Sequence, residues 1–228
     1  MSLKPPHQIA EGSPSANGRE VVKEILFITS SPRGNASYSK RVAGQVLEEL
    51  CRAHPDASVT TRDLAHDRLP HLEDDFAATA AQPIKTLTPT QRAAVRRSDL
   101  LIDELFAADV LVIAVPMINF TIPSTLKAWV DHVTRRGRTF VYGEGGPKGL
   151  VTGKRVILVQ AKGGVYSGSM QPSDFLAPYL KHMLGFLGMT DVRVIDVEGT
   201  SLGPDAAERA TAQGMKCAGA VVEQMDAA

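Results

Sequence analysis

Apolar residues fall into two alternating patterns along the chain. Short runs rich in valine, isoleucine and leucine predict strands, and the segments between them repeat apolar residues every three or four positions, which predicts helices with one buried face. Five strands are predicted, at residues 21–29, 59–64, 109–115, 155–160 and 192–197. The third run is almost wholly apolar, as expected for a central parallel strand that is buried on both faces.

The segments between these runs carry helix signals. Thr88, Pro89 and Gln91 form a capping box with proline at the first helical position, which predicts a helix that reaches about Phe106. Other helices are predicted at residues 37–53, from about residue 123, at residues 172–187 and around residues 215–225. Strands that alternate with helices favour an α/β protein in which helices cover both faces of a parallel sheet. Five strands suit a flavodoxin-like three-layer sandwich with the strand order 2-1-3-4-5.

Two segments do not follow this alternation. Residues 1–20 contain proline, glycine and serine and lack the apolar core of a secretion signal, which predicts a flexible N-terminal extension before one domain at residues 21–228. Residues 137–151 are rich in glycine and predict a long irregular loop with a functional role. We expect this loop to help enclose a binding site.

Composition narrows the class of partner. Of 228 residues, 43% are hydrophobic, and 25 basic residues balance 25 acidic ones. The chain has no excess of basic residues that would indicate binding to nucleic acid or to an acidic membrane surface. No apolar run approaches the roughly 20 residues that span a bilayer. Cys51 and Cys217 lie in no CxxC pair and the histidines lack metal-ligand spacing, so we expect no bound metal. We expect the two cysteines to be inert buried thiols, and their small number favours a reducing compartment and thus a cytoplasmic location.

Three predicted loops follow strands one, three and four, and in a parallel sheet such loops meet at the edge where ligands bind. The first, residues 30–39, is rich in serine and leads into a helix, so its hydroxyls and the helix N–H groups can hold a phosphate. The alternative is that Ser37 only caps that helix. The sequence contains neither of the common nucleotide-binding motifs, GxGxxG after the first strand or GxxxxGKS/T. A phosphate bound here would therefore anchor the ligand and would not itself react.

The other two loops carry different chemistry. Residues 116–123 are largely apolar, contain Asn119 and are stiffened by two prolines, which suits a flat heteroaromatic ring; a connector tucked into the core is the alternative. In residues 161–166, Gly163 and Gly164 permit close approach of a ligand, and Lys162 can face developing negative charge; an ordinary tight turn is the alternative. Together the three loops supply what a mononucleotide requires.

Several stretches, in this order, resemble one known family. They are SSPRGNASYS (residues 30–39), PMINF (116–120), LKAWVD (126–131), GPKGLVTGK (146–154), KGG (162–164), GFLGMTDV (185–192) and EGT (198–200). With them the chain is similar to the FMN-dependent NADH-azoreductases, which also act as quinone reductases, from about Val21 to its C-terminus. Two positions depart from the family pattern: Ile118 stands where an aromatic residue is frequent, and Ala161-Lys162 stands where Ser-Arg is frequent.

The resemblance implies bound FMN in contact with all three loops. It implies that the phosphate and ribityl end are held by Ser31, Ser37, Tyr38 and Ser39, that the isoalloxazine ring is lined by Met117, Ile118, Asn119 and Phe120, and that its pyrimidine edge meets Ala161, Lys162, Gly163 and Gly164. It implies no catalytic side chain, because the flavin supplies the chemistry.

The implied reaction has two steps in a ping-pong sequence. NADH or NADPH reduces FMN by hydride transfer and leaves, and a quinone or azo compound then takes two electrons at the same face. The resemblance also implies a homodimer with two FMN sites near the interface. Three alternatives stay open: a flavodoxin-type one-electron carrier, an NAD(P)H reductase of another acceptor class such as chromate or nitro compounds, and a flavin-free binding domain on the same fold. Trp129 and His132 are expected to pack inside the domain.

Overall fold

The structure is a computed structural model, and it describes residues 22–72 and 76–227. The predicted extension at residues 1–20 therefore lies outside the described residues, as does Val21. The strands of the described part are β1 (Glu24–Thr29), β2 (Ser58–Asp63), β3 (Val110–Pro116), β4 (Phe140–Gly143), β5 (Gly146–Gly149), β6 (Arg155–Ala161) and β7 (Asp191–Val197).

Five of these strands pair into one parallel sheet in the order β2-β1-β3-β6-β7. Without the short pair β4 and β5, this is the order 2-1-3-4-5, so the predicted topology is confirmed. Strand β3 lies at the centre, where Ile113 pairs with Ile28 of β1 on one side and with Leu158 of β6 on the other. Its residues are buried up to Val115, as the continuous apolar run predicts.

The helices begin and end at the signals that the sequence carries. They are α1 (Tyr38–Ala53), α2 (Phe76–Ala80), α3 (Pro89–Ala107), α4 (Ser124–Val133), α5 (Leu176–Leu187) and α6 (Pro204–Asp226). The predicted capping box of α3 is confirmed, because the Thr88 hydroxyl accepts from the Gln91 N–H and the Gln91 side chain accepts from the Thr88 N–H.

Helix α5 begins four residues later than the sequence predicts. Residues 168–173 form a separate 3-10 turn that contains Pro172. The carboxylate of Asp174 then accepts hydrogen bonds from the N–H groups of Leu176 at 3.0 Å and Ala177 at 3.4 Å. This carboxylate satisfies N–H groups that have no partner inside the helix, and it thereby fixes where α5 starts.

Two apolar clusters hold the layers together. On one face of the sheet, α1 and α6 pack on Ile25 and Phe27 of β1; on the other, α3, α4 and α5 pack on Leu26 and Ile28 of the same strand. Trp129 of α4 is 1% exposed, which confirms its predicted place in the interior. Each large apolar side chain that is fully buried stabilises the folded state by about 1.5–3 kcal/mol relative to the same side chain in water. None of the helices in the described part is long and apolar enough to cross a membrane.

The glycine-rich segment predicted as an irregular loop contains a β-hairpin. Strands β4 and β5 pair antiparallel, with Phe140 opposite Gly149. The hairpin docks on α5, where the rings of Phe140 and Phe186 lie 4.7 Å apart and the N–H of Val151 donates to the carbonyl of Leu187 at 2.9 Å. The prediction of an irregular loop is wrong because these contacts with a distant helix, and not an apolar alternation, order the segment.

The expectation of buried thiols is also wrong for the described cysteines. Cys51 is exposed, and Cys217 is half-buried; both are free. Cys51 follows the fully buried Leu50 along α1, so the rotation of one residue takes it to the solvent side of the helix.

His132 is buried in α4 and gives a testable pH dependence. Its Nε2 donates to the carbonyl of Pro70 at 3.0 Å, and its ring meets Phe76 edge-on with centroids 5.8 Å apart. Burial lowers the pKa of His132 below its ordinary value of about 6.5, although the hydrogen bond to Pro70 opposes this. Both folded and unfolded chains are neutral at this site above that pH, whereas below it the unfolded chain takes up the proton first.

We therefore expect the free energy of unfolding to fall as the pH drops below about 6.5, by up to about 1.4 kcal/mol per pH unit from this site. A His132→Gln variant should lose that part of the slope, which urea unfolding at pH 7.5, 6.0 and 5.0 measures. The control is His182→Gln, which removes an exposed histidine from α5 and shows whether the loss of any histidine changes the slope. Equal slopes for the parent and His132→Gln would contradict the assignment.

Candidate functional site

The three loops singled out from the sequence meet at the carboxyl edge of the sheet. They follow β1, β3 and β6, which are neighbours, so the topology alone brings them together. Backbone hydrogen bonds join them further: the N–H of Ser30 donates to the carbonyl of Ala114 at 3.3 Å, and the N–H of Met117 donates to the carbonyl of Ala161 at 2.7 Å.

The loop after β1 forms a cradle of hydroxyls at the start of α1. Ser37 is the N-cap residue, and its Oγ accepts from the N–H of Lys40 and lies 3.2 Å from the Oγ of Ser39. Ser31, Ser37 and Ser39 are all buried. Capping and ligand binding are compatible here, because the first turn of a helix has more N–H groups than one cap can satisfy, and its positive end favours an anion.

Arg33 is a feature of this loop that the sequence analysis did not single out. Its guanidinium lies over the ring of Tyr38, 4.8 Å from the centroid. Tyr38 is the first residue of α1, so the stacking holds a positive charge beside the hydroxyl cradle. The signal that could have found it is its position within the motif of residues 30–39.

Two hydroxyls where β1 ends have no partner among the described residues. They are Thr29 Oγ1 and Ser30 Oγ, both on residues that are 1% exposed. A buried hydroxyl without a hydrogen bond costs about 1–3 kcal/mol, so proteins rarely keep one unless a water or ligand satisfies it. The polar groups at this edge therefore fit a ligand with several oxygen atoms.

The loop after β3 is a tight turn in an uncommon backbone conformation. Ile118 and Thr121 exchange backbone hydrogen bonds of 2.9 and 3.0 Å, and between them Asn119 and Phe120 have φ angles of 46° and 71°. Positive φ is rare and strained for a bulky residue such as phenylalanine. The N–H of Phe175 donates to the carbonyl of Phe120 at 3.0 Å, which helps to hold this shape.

The turn is exposed rather than tucked into the core. Ile118 is 41% exposed and Phe120 48%, whereas Met117 is partly buried and packs on the core cluster beneath. This observation disfavours the alternative of a purely structural connector.

Beside the turn is a cleft of about 440 Å³, whose lining residues include Ser30, Pro32, Arg68, His71, Ile118 and Thr125. Arg68 and His71 come from the segment after β2, which the sequence analysis did not assign to the site.

The loop after β6 places Lys162 in the interior. Ala161 is 8% exposed and Lys162 only 3%, so the lysine is not a surface residue of an ordinary turn. Its ammonium lies 2.7 Å from Asp174, 2.8 Å from Asp196 and 3.2 Å from Glu198. Burial opposes the charge, but the hydrogen bonds to the carboxylates outweigh it and raise the pKa of Lys162, so the side chain is an ammonium at physiological pH. A contact between this lysine and a flavin stays a prediction.

The carbonyls and the N–H groups of the Gly163-Gly164 pair differ in their hydrogen bonding. The carbonyls of Lys162, Gly163 and Gly164 accept from the backbone N–H groups of Thr200, Ser201 and Gly199, at 3.1, 2.9 and 2.9 Å. By contrast, the N–H groups of the two glycines donate to no residue within the described ranges. A Cβ at residue 163 would lie 2.7 Å from the Ser201 hydroxyl, so any larger residue there would require the Ser201 side chain to shift.

Known proteins are similar to this chain in fold and in sequence. A family model described as "Flavodoxin-like fold" matches residues 23–221. An FMN-dependent NADH:quinone oxidoreductase from Mesorhizobium japonicum is 51% identical over 205 residues, which are 90% of this chain and 98% of that protein. The chain belongs to the flavodoxin-like family of FMN-dependent NADH:quinone oxidoreductases. FMN-dependent NADH:quinone oxidoreductase 1 from Rhizobium etli is 50% identical over 190 residues, 83% of this chain and 93% of that protein.

Solved structures agree with membership of this flavin-dependent family. The azoreductase from Bacillus anthracis str. Sterne superposes with a TM-score of 0.81 at 30% identity, covering 89% of this chain and 99% of that one. The FMN-dependent NADH-azoreductase from Bacillus anthracis str. Ames Ancestor, a complex with FMN, superposes with a TM-score of 0.76 at 26% identity, covering 87% and 99%. The family and fold expected from the sequence motifs are confirmed.

Proposed function

We propose that the protein uses NADH or NADPH to reduce quinones and azo compounds through FMN held at the carboxyl edge of the sheet. The observation that carries the proposal is the convergence there of a hydroxyl cradle, an exposed apolar turn and two backbone N–H groups that donate to no described residue. The names of the curated relatives favour a quinone as the acceptor over chromate or nitro compounds. They also favour an enzyme over a one-electron carrier or a flavin-free binding domain.

The residues present fit FMN in size and polarity. Ser31, Ser37, Tyr38 and Ser39 would hold the phosphate and ribityl chain, and the Thr29 and Ser30 hydroxyls, which have no partner among the described residues, would add donors and acceptors nearby. Met117, Ile118, Asn119 and Phe120 would contact the ring, and Ala161, Lys162, Gly163 and Gly164 would meet its pyrimidine edge. These twelve assignments are proposals supported by the meeting of the three loops.

The chain contributes orientation and exclusion of water. FMN, when bound, accepts two electrons from the nicotinamide and passes them to the acceptor. The fixed turn at Asn119 and Phe120 presents an apolar surface against which a planar group can stack. The N–H groups of Gly163 and Gly164 donate to no described residue and would be available to donate to ring carbonyls. No side chain has to move a proton, so we assign no catalytic residue.

The reaction order gives the test. We expect NADH alone to bleach the FMN-loaded protein, and a quinone or azo dye added afterwards to restore its colour. Because donor and acceptor use the same pocket in turn, steady-state double-reciprocal plots should be parallel. Intersecting lines would contradict the ping-pong order, and a purified protein that does not bind FMN would contradict the proposed function itself.

We also propose a homodimer with both FMN sites near the interface. Ile118, Phe120 and Phe175 surround the turn and are 41%, 48% and 58% exposed, so a second copy would cover apolar surface at the site. Light scattering of the FMN-loaded protein at micromolar concentration should give twice the chain mass. A monomer with full turnover would contradict this proposal. The cytoplasmic location expected from the sequence stays a prediction.

A further inference from the structure

Lys162 joins three separate segments at the carboxyl edge. The lysine belongs to the loop after β6, Asp174 precedes α5, and Asp196 and Glu198 lie at the end of β7 and just after it. The ammonium is within 3.2 Å of a carboxylate oxygen from each of the three acidic residues. A side chain that is 3% exposed and still charged must be held by such partners, because an isolated buried charge is strongly unfavourable.

Each carboxylate also holds a second group in place. Asp174 caps α5 through the Leu176 N–H, at 3.0 Å. Glu198 accepts from the Tyr166 N–H at 3.2 Å, and Asp196 accepts from the side chain of Gln160. Loss of the ammonium would leave three carboxylates without their shared cation, so the segment before α5 and the end of β7 would repel each other and lose their contact with the loop after β6.

The backbone of the same lysine also takes part in the contact between the loop after β6 and the loop after β7. We call this contact, between residues 162–164 and residues 199–201, the junction. Its carbonyl accepts from both the N–H and the hydroxyl of Thr200, at 3.1 and 3.0 Å. The next two carbonyls, of Gly163 and Gly164, accept from Ser201 and Gly199. The position of the glycine N–H groups thus depends on how firmly the loop after β7 is held against the loop after β6.

We propose that Lys162 is a positioning residue for the flavin ring. Its ammonium is paired with three carboxylates and does not act on the ring directly. Its effect on the ring is to hold the Gly163-Gly164 pair so that the two N–H groups face the pyrimidine edge. This differs from the sequence-based expectation that the ammonium itself faces charge developing on the ring. The inference rests on the proposed FMN site.

The test measures two quantities in the full-length protein prepared without flavin. They are the affinity for the flavin ring and the rate at which the amides of the junction exchange hydrogen with solvent. The ring probe is lumiflavin, which lacks the ribityl phosphate, and FMN is measured beside it by fluorescence titration. The junction is measured by hydrogen exchange of the Gly199, Thr200 and Ser201 amides. For Lys162→Met we expect lumiflavin and FMN to bind about tenfold more weakly and the three amides to exchange at least about tenfold faster.

A second variant decides the question if Lys162→Met does not fold. Asp196 is the most exposed of the three acidic partners, at 48%, so Asp196→Asn should be tolerated. If Lys162 acts by positioning, Asp196→Asn loosens the junction, and we expect about threefold weaker lumiflavin binding and about threefold faster amide exchange. If Lys162 acted by direct charge on the ring, this variant would leave the binding of neutral lumiflavin and the amide exchange unchanged, and that result would overturn the proposal.

The matched control is Lys154→Met. Lys154 donates to the carbonyl of Phe106 at 2.6 Å and precedes β6, at the opposite edge of the sheet. Its loss should change neither readout. If the parent protein binds neither lumiflavin nor FMN, the proposed function fails; if it binds both and the folded Lys162→Met protein binds lumiflavin equally well, only the positioning role fails.

Discussion

Replacement of Gly149 by alanine is expected to destabilise the fold by about 3 kcal/mol. The added Cβ would lie 2.2 Å from the N of Gly188 and 2.3 Å from the carbonyl carbon of Leu187. Both are backbone atoms at the end of α5, where the N–H of Met189 donates to the carbonyl of Leu184 at 2.9 Å, so neither can move without breaking the end of the helix. The hairpin of β4 and β5 must therefore lift away from α5. Urea unfolding of the variant and the parent measures the loss.

The same hairpin provides the control for this variant. A Cβ on Gly143, in β4, would meet nothing within 4 Å. Gly143→Ala should therefore leave the free energy of unfolding within about 0.5 kcal/mol of the parent. If Gly149→Ala is as stable as Gly143→Ala, the close contact between the hairpin and α5 does not exist in solution.

Replacement of Ser39 by alanine is expected to weaken FMN binding about 10- to 100-fold. Ser39 is fully buried in the cradle, and a hydrogen bond to a charged group contributes about 1.5–3 kcal/mol, which converts to a factor of that size. Riboflavin has no phosphate, so its affinity should change little. Fluorescence titration of the flavin-free protein with both compounds measures the difference.

Ser98 is a suitable control for the loss of a buried serine hydroxyl. Its Oγ donates to the carbonyl of His132 at 2.7 Å and accepts from Arg135 at 3.0 Å, within the interior of the layer formed by α3 and α4. Ser98→Ala should lower the free energy of unfolding by about 1–2 kcal/mol and leave FMN affinity unchanged in the folded protein. Equal losses of FMN and riboflavin binding in Ser39→Ala would place the phosphate elsewhere.

The order of the sheet was predictable because each of its strands has a local signal. The run at residues 109–115 became strand β3 shifted by one residue, since the Asp109 carboxylate caps the adjacent strand by accepting from the N–H groups of Lys23 and Glu24. The hairpin was not predictable, because the segment Gly-Pro-Lys-Gly of β5 has no apolar alternation. Its order depends on Gly149 packing against Gly188, a contact between residues far apart in the sequence.

The site was predictable where its residues are contiguous. The serines of residues 30–39 and the glycines of residues 163–164 lie in short motifs, so their meeting follows from the strand order. The surroundings of Lys162 were hidden, because Asp174 and Glu198 are 12 and 36 residues away in the sequence and no spacing rule links them to it. Arg68 and His71 were missed for a similar reason, since the loop after β2 has no distinguishing motif.

The strained turn after β3 determines where this enzyme can be redesigned. Asn119 and Phe120 have positive φ, and such conformations cost about 1–3 kcal/mol each, so a library of side chains at these positions would mostly alter the backbone. Glycine at residue 120 would relieve strain but would also allow other loop shapes. Ile118 has no such constraint, is 41% exposed and is one of the residues that line the cleft. Variation at Ile118 alone should therefore change which acceptors fit while the geometry around them is preserved.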